Sequence, residues 1–131
     1  MFANNLIELS LIIPTFNEKA NISELVKRLE AVLASIRWEV IFVDDDSPDG
    51  TAAFVKSIAK YNSKVRCLHL VGRRGLAGAC IEGMLASSAP VVAVMDADLQ
   101  HDEALLTSMY EAINKGAELV VGSRYLNQAS L

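Results

Sequence analysis

The chain has 131 residues, 52% of them hydrophobic, with 12 Lys+Arg against 16 Asp+Glu for a formal charge of −4. That much apolar material in one domain's length supports a single packed core and excludes a disordered chain, which is apolar-poor and charge-rich. The acidic balance also argues against a general nucleic-acid binder, because neutralising phosphates takes a basic surplus.

Met1-Phe2-Ala3-Asn4-Asn5 puts no basic residue ahead of an apolar run, so it does not read as a signal peptide, and no apolar run approaches the ~18 residues needed to span a bilayer. A cytoplasmic domain is expected. Strands are predicted at residues 9–13, 40–43, 65–71, 91–95 and 119–121. They are continuous rather than alternating apolar runs, the pattern of a parallel sheet covered on both faces. Between the first two, Ile22, Leu25, Val26, Leu29, Val32, Leu33 and Ile36 fall on one helical face, with Asn21 and Glu24 as its start signal. A second helix is predicted over 51–60 and a third over 76–87. Ala77, Gly78, Ala79 and Gly83 give the third a small face suited to close approach to the sheet or to a ligand. A fourth, over 103–115, presents Leu105, Leu106, Met109 and Ile113 and is ended by Gly116. Strand–helix alternation of this kind implies right-handed crossovers and a Rossmann-like three-layer α/β/α fold on a mostly parallel sheet. Cys67 and Cys80 each sit in an apolar stretch and read as reduced core thiols. Trp38 and Tyr110 read as packing residues.

Ligands of open α/β sheets bind outside the carboxyl ends of the strands. Each such end here is polar: Pro14-Thr15-Phe16-Asn17-Glu18, then Asp44-Asp45-Asp46-Ser47-Pro48-Asp49-Gly50, Gly72-Arg73-Arg74-Gly75, Asp96-Ala97-Asp98-Leu99-Gln100-His101, and Gly122-Ser123-Arg124-Tyr125. Asp96 and Asp98 can converge on one hard cation, Mg²⁺ or Mn²⁺, with Gln100 as a further oxygen ligand. The simpler reading is a solvated turn in which Asp98 or Asp102 caps the next helix. Asp44-Asp45-Asp46 sets three carboxylates side by side, a costly arrangement unless something offsets their repulsion. Turn chemistry accounts for Ser47-Pro48-Asp49-Gly50, with Asp49 as a helix cap, but not for the acids before it. A carboxylate there could accept hydrogen bonds from a nucleotide base or ribose, with Arg73, Arg74 and Arg124 balancing diphosphate charge. One of Arg73 and Arg74 is expected to be plain solvated charge. His69 reads as structural, and His101 either caps the fourth helix or faces the site. Gly72-x-x-Gly75-x-x-Gly78 is a weak phosphate-loop signal.

Taken together and in this order, the motifs resemble the family 2 glycosyltransferases of the GT-A fold, and most of all their dolichol-phosphate mannose synthase-like, polyprenyl-phosphate branch. The residues carrying the resemblance are Ile12 to Glu18, Val43 to Thr51, Gly75-Leu76-Ala77-Gly78-Ala79, Met95 to His101 and Gly122 to Tyr125, nearly the whole chain. The resemblance implies a nucleotide-sugar donor, GDP-mannose or a UDP-sugar, and a divalent metal. By analogy Pro14, Phe16, Glu18, Val43 and Asp45 line the nucleoside pocket, with Phe16 where the family usually has Tyr. Asp96, Ala97 and Asp98 meet the donor, and Asp96, Asp98 and Gln100 hold the metal. Asp98 and Arg124 carry catalysis, Arg124 contacting the diphosphate or the acceptor phosphate. The implied reaction is inverting transfer to a polyprenyl or dolichyl phosphate at a membrane surface, which places the protein peripherally at the cytoplasmic face. Because family members continue well past Gly-Ser-Arg-Tyr, the chain is expected to be the donor-binding half alone, with a homo-oligomer or partner subunit covering the remainder. The rival reading within that frame is a non-catalytic nucleotide-sugar-binding module. A response-regulator-like domain fails on the residues after the first, third and fifth strands.

Overall fold

A computed structural model describes residues 6–98 and 103–120. Four strands, β1 (Leu9–Thr15), β2 (Trp38–Asp44), β3 (Val65–His69) and β4 (Val91–Val94), alternate with four helices, α1 (Lys19–Val32), α2 (Thr51–Ala59), α3 (Gly75–Ala86) and α4 (Leu105–Asn114). All described pairings are parallel, in the order β3-β2-β1-β4. The β3-to-β4 crossover therefore returns over two strands. That reversal, with helices on both faces, makes the sheet doubly wound, and β1 and β4 flank the point where the winding direction changes.

The register Leu9↔Trp38, Leu11↔Val40, Ile13↔Phe42 lines up one face of the sheet. On it, these six side chains pack with Ile22, Leu25 and Leu29 of α1, Val55 of α2 and Leu106 of α4. The opposite face carries Ile12, Ile41 and Val43, covered by Ala79 of α3 and by Leu70. Its distal part stays open: Val92 and Val94 of β4 and Ile81, Met84 and Leu85 of α3 are exposed. At Gly83, α3 lies tight against the sheet, since a Cβ there would lie 2.3 Å from Ile12 Cγ2. Of the predicted small face, Ala79 and Gly83 lie against the sheet, while Ala77 is exposed and a Cβ at Gly78 would meet only Arg74.

Several boundaries differ from those predicted. β1 runs on through Pro14 to Thr15, because β2 supplies partners as far as Asp44. α1 begins at Lys19, and Asn21 is its third residue, donating from Nδ2 to Glu18 Oε2 at 2.8 Å. β3 stops at His69, where Leu70 turns its N–H to Asp44 O. Leu119 and Val120 form no strand, and Val121 lies outside the described residues. Gly116, at φ 114°, follows α4 as expected. Trp38 is buried and Tyr110 packs on the same core, its hydroxyl 3.3 Å from Glu8 Oε2.

A second polar assembly fastens the far end of α3. Glu39, buried on β2, accepts from Ser10 Oγ (2.5 Å), Ser88 Oγ (2.7 Å), Ser88 N (3.0 Å) and Arg66 Nη1 (2.9 Å), and Arg66 also reaches Ala86 O. Burial pushes the Glu39 carboxyl up, but the bonds from Ser10, Ser88 and Arg66 outweigh it and hold the group below the usual carboxylate range. No helix among the described residues is long and apolar enough to cross a membrane.

Candidate functional site

The strand ends explain the Asp44-Asp45-Asp46 run. The three carboxylates diverge, each to its own donors. Asp44, buried, takes Thr15 Oγ1 (2.8 Å), Ser47 N (2.9 Å) and Ser47 Oγ (2.6 Å). Asp45 takes the backbone amides of Arg74 (2.6 Å) and Gly75 (3.0 Å). Asp46, at φ 62°, takes Gly72 N (3.0 Å) and lies 2.8 Å from His69 Nε2. Seven donors on three acids offset the repulsion that the sequence alone left unexplained.

The segment after Asp46 has an equally local purpose. Ser47 Oγ, Asp49 Oδ2 and Thr51 Oγ1 accept the amides of Asn17 (2.8 Å), Lys19 (3.3 Å) and Glu18 (3.2 Å). The loops leaving β1 and β2 are thereby tied together, and α1 has its leading amides satisfied from another loop. Gly50 (φ 88°) holds the N-cap of α2, while Asp49 Oδ1 accepts from Thr51 N at 2.9 Å. The Thr51 bond, despite some burial, holds the Asp49 carboxyl below its usual range.

Between these loops and the start of α3 lies a cavity of about 140 Å³ lined by Pro14, Thr15, Phe16, Asp45, Arg73, Gly75, Leu76 and Ala79. Arg73 closes one side: its guanidinium carbon sits 3.6 Å from the Phe16 ring centroid, and its Nε is 3.5 Å from Asp45 Oδ2. Burial alone raises the Asp45 carboxyl, yet the Arg74 and Gly75 amides and the Arg73 charge outweigh it and hold the group below the usual carboxylate range. The cavity offers an aromatic face, a carboxylate and a guanidinium on an apolar floor. Its volume is below the ~300–1,000 Å³ that encloses a whole drug-sized ligand, so it is large enough for only part of one. A larger cleft, about 460 Å³, is bounded by Ile7, Ala34, Ile36, Arg37, Trp38, Ser63 and Lys64. It lies at the amino ends of the strands, away from the edge where such sheets bind ligands.

Pro14, Phe16 and Asp45 are therefore brought together as expected. Val43 and Glu18 are not among the lining residues. Val43 is fully buried under α3, and Glu18 turns its carboxylate to Asn21. Arg73 is the arginine that faces the site, whereas Arg74 reaches Glu82 at 3.6 Å and its backbone, not its side chain, serves Asp45. Thr15, Gly75, Leu76 and Ala79 complete the lining; all four lie in segments that the sequence singled out, though none was given a role in the pocket. The Gly72-x-x-Gly75 turn is no vacant phosphate cradle, since its amides at 72, 74 and 75 are already given to Asp45 and Asp46.

After β4, buried Met95 and Ala97 alternate with exposed Asp96 and Asp98, so both carboxylates stand at the strand's carboxyl end. Asp96 lies near enough to α3 that its charge, added to burial, raises the Cys80 thiol. Among the described residues no three His, Cys, Asp or Glu side chains gather as a metal site. Two exposed carboxylates suit Mg²⁺ or Mn²⁺, which keep waters and share their remaining ligands with phosphate oxygens. Gln100, His101, Arg124 and Tyr125 lie outside the described residues.

The family model described as "Glycosyl transferase family 2" matches residues 10–130. Dolichol-phosphate mannosyltransferase of Pyrococcus furiosus is 40% identical over 120 residues, which are 91% of this chain and 34% of that protein. Its namesake from Saccharomyces cerevisiae is 35% identical over 122 residues, 91% of this chain and 45% of that protein. Among solved structures, a mannosyltransferase from Pyrobaculum calidifontis in complex with GDP-Man and Mn²⁺ superposes with a TM-score of 0.68 at 26% identity, covering 89% of this chain and 34% of that one. The chain thus spans between a third and a half of the length of these relatives.

Proposed function

Because the chain belongs to glycosyl transferase family 2, we propose that its strand-end cavity receives the nucleoside of a nucleotide-sugar donor, GDP-mannose or a UDP-sugar, for transfer to a polyprenyl or dolichyl phosphate. The cavity carries this reading: Phe16 offers a stacking face, Asp45 an ionised acceptor for base or ribose donors, and Arg73 a cation over the ring. With the nucleoside there, the diphosphate runs along the strand edge towards β4, where Asp96 and Asp98 stand.

A divalent cation, Mg²⁺ or Mn²⁺, held by Asp96, Asp98 and Gln100, would supply stabilisation of the charge that develops on the leaving diphosphate. Ala97, read from the resemblance as a donor contact, is instead buried in the core between the two carboxylates. Arg124 is assigned to the diphosphate or the acceptor phosphate. In the proposed reaction an acceptor phosphate oxygen forms a bond to the anomeric carbon as the bond to the donor diphosphate breaks, with inversion, and the nucleoside diphosphate departs. A phosphate monoester, with a second pKa of about 6, is already largely ionised near neutral pH. It needs no strong general base, so orientation and charge stabilisation carry the rate. An acceptor of this kind puts the reaction at a membrane surface, and we read the protein as peripheral at the cytoplasmic face.

Calorimetric titration with GDP and UDP, each with and without Mn²⁺, tests the donor site. Saturable binding that strengthens with Mn²⁺, and loses that dependence in Asp98→Ala, is expected. No binding of either nucleotide at millimolar concentration refutes the reading. Transfer to a short polyprenyl phosphate then separates an enzyme from a non-catalytic binding module.

A further inference from the structure

Asp46 has no place in the cavity, and it is the one of the three adjacent acids with a left-handed backbone. Its φ of 62° is a left-handed conformation that a non-glycine residue adopts only with support. Its two carboxylate oxygens reach the same neighbouring turn, Oδ2 accepting from Gly72 N at 3.0 Å and Oδ1 lying 2.8 Å from His69 Nε2. The Gly72 amide, with His69 second, holds this carboxyl below its usual range.

The turn it grips is itself strained. Gly72 (φ 89°), Arg73 (φ 45°) and Gly75 (φ 84°) are all left-handed within four residues. Arg73 is the one L-residue among them, and it is also the residue that lies over Phe16 and closes the cavity. The turn is held to the sheet by two carboxylates. Asp45 takes Arg74 N and Gly75 N but also lines the cavity, so a ligand that enters competes for the same carboxylate. Asp46 takes Gly72 N and His69 and lines nothing. One acid is divided between turn and ligand, and its neighbour is committed to the turn alone.

We propose that Asp46 is a positioning residue for the donor pocket: through Gly72 and His69 it fixes the 72–75 turn so that Arg73 stays over Phe16 when Asp45 engages a ligand. This rests on the cavity being the nucleoside pocket. Pre-setting the turn removes an ordering cost that binding would otherwise meet. The sequence position is informative here, since Asp tolerates the left-handed conformation better than most residues and also provides two acceptors.

The test compares Asp46→Gly, Asp46→Asn and His69→Ala in the full chain, with GDP and UDP as probes in the presence of Mn²⁺. Glycine keeps the backbone conformation and removes both acceptors, so it isolates the carboxylate from backbone strain. Asp46→Gly is expected to weaken nucleotide binding about tenfold, the loss of one or two charge-assisted hydrogen bonds. Asp46→Asn, which retains an acceptor for Gly72 N and also tolerates φ 62°, should recover most of that loss. His69→Ala, which leaves the Gly72 bond in place, should cost about threefold. Without nucleotide, amide exchange in Asp46→Gly should accelerate at 72, 74 and 75 and stay unchanged in β1 and β2. If the wild type binds and Asp46→Gly binds as tightly, the positioning role is overturned while the donor site stands. If Asp46→Asn is as weak as Asp46→Gly, it is equally overturned. If the wild type binds neither nucleotide, the donor reading falls and takes this role with it.

Discussion

Gly83 sets how closely α3 approaches the sheet, and through that helix the position of the amides that Asp45 holds. A Cβ at residue 83 would lie 2.3 Å from Ile12 Cγ2 and 2.9 Å from Val43 Cγ2, and both of those side chains are fully buried. Neither can swing into solvent, so the helix must lift or the sheet must deform. Overpacking costs about 1–3 kcal/mol, and an overlap this deep against two buried side chains belongs at the upper end, about 2–3 kcal/mol. Alanine returns roughly 1 kcal/mol of helix propensity over glycine. Gly83→Ala should therefore destabilise by about 1–2 kcal/mol and lower Tm by about 3–10 °C. Urea denaturation followed by circular dichroism reads this directly: the midpoint falls while the slope is unchanged. In an Ile12→Ala background, where the nearer methyl is gone, the loss should shrink towards zero, a coupling that a double-mutant cycle measures. Because α3 begins at Gly75, lifting it also draws the Arg74 and Gly75 amides from Asp45, so nucleotide affinity should fall together with stability. A Gly83→Ala protein at least as stable as wild type, with Ile12 intact, would refute the close-approach reasoning.

Glu39→Ala removes the one acceptor shared by Ser10, Ser88 and Arg66, and should cost about 2–3 kcal/mol in urea unfolding; a change within a few tenths of a kcal/mol argues that the network is ornamental. The acid dependence follows from Glu39, Asp45, Asp46 and Asp49, all held below their usual range in the folded chain. Their contribution is complete above the unfolded carboxylate values of about 4 and is lost as pH falls through the lower folded ones, so the urea midpoint should be level from pH 7 to about 5 and drop below about 4; a midpoint that rises on acidification contradicts this. Burial pushes the Cys67 thiol to about 11, with Ala52 O as its partner, and burial with the Asp96 charge raises Cys80. Neither should react with iodoacetamide at pH 7.5 in the folded state, and rapid native labelling followed by mass spectrometry would count against their packing.

Four strands and four helices were legible because their apolar runs are long and continuous, and the doubly wound arrangement followed from strand–helix alternation. The errors cluster at ends. Asn21 and Glu24 resemble a capping box, but the loop after β2 satisfies the amides of Glu18 and Lys19 from 30 or more residues away, which lets α1 begin earlier. β3 ends at His69, whose ring lies 2.8 Å from Asp46, a contact no local pattern encodes.

The candidate site divides in the same way. The family resemblance names Pro14, Phe16 and Asp45, along with Glu18 and Val43, which line no part of the cavity; the shared strand-end edge accounts for where the first three meet. The sequence determined that edge, the acids and aromatic on it, and the small residues that let α3 lie close. Only the tertiary structure decided which acid does what. Three adjacent aspartates are chemically identical along the chain, and successive side chains at a strand end leave in different directions. Asp44 is therefore spent inside on Thr15 and Ser47, Asp45 is shared between turn and cavity, and Asp46 is given wholly to the turn. Arg73 and Arg74 are likewise equivalent in one dimension, and the left-handed turn alone puts the first over Phe16 and leaves the second on the surface. Hydrogen-bond direction is a property of three-dimensional placement, and that is why residue type was readable while residue role was not.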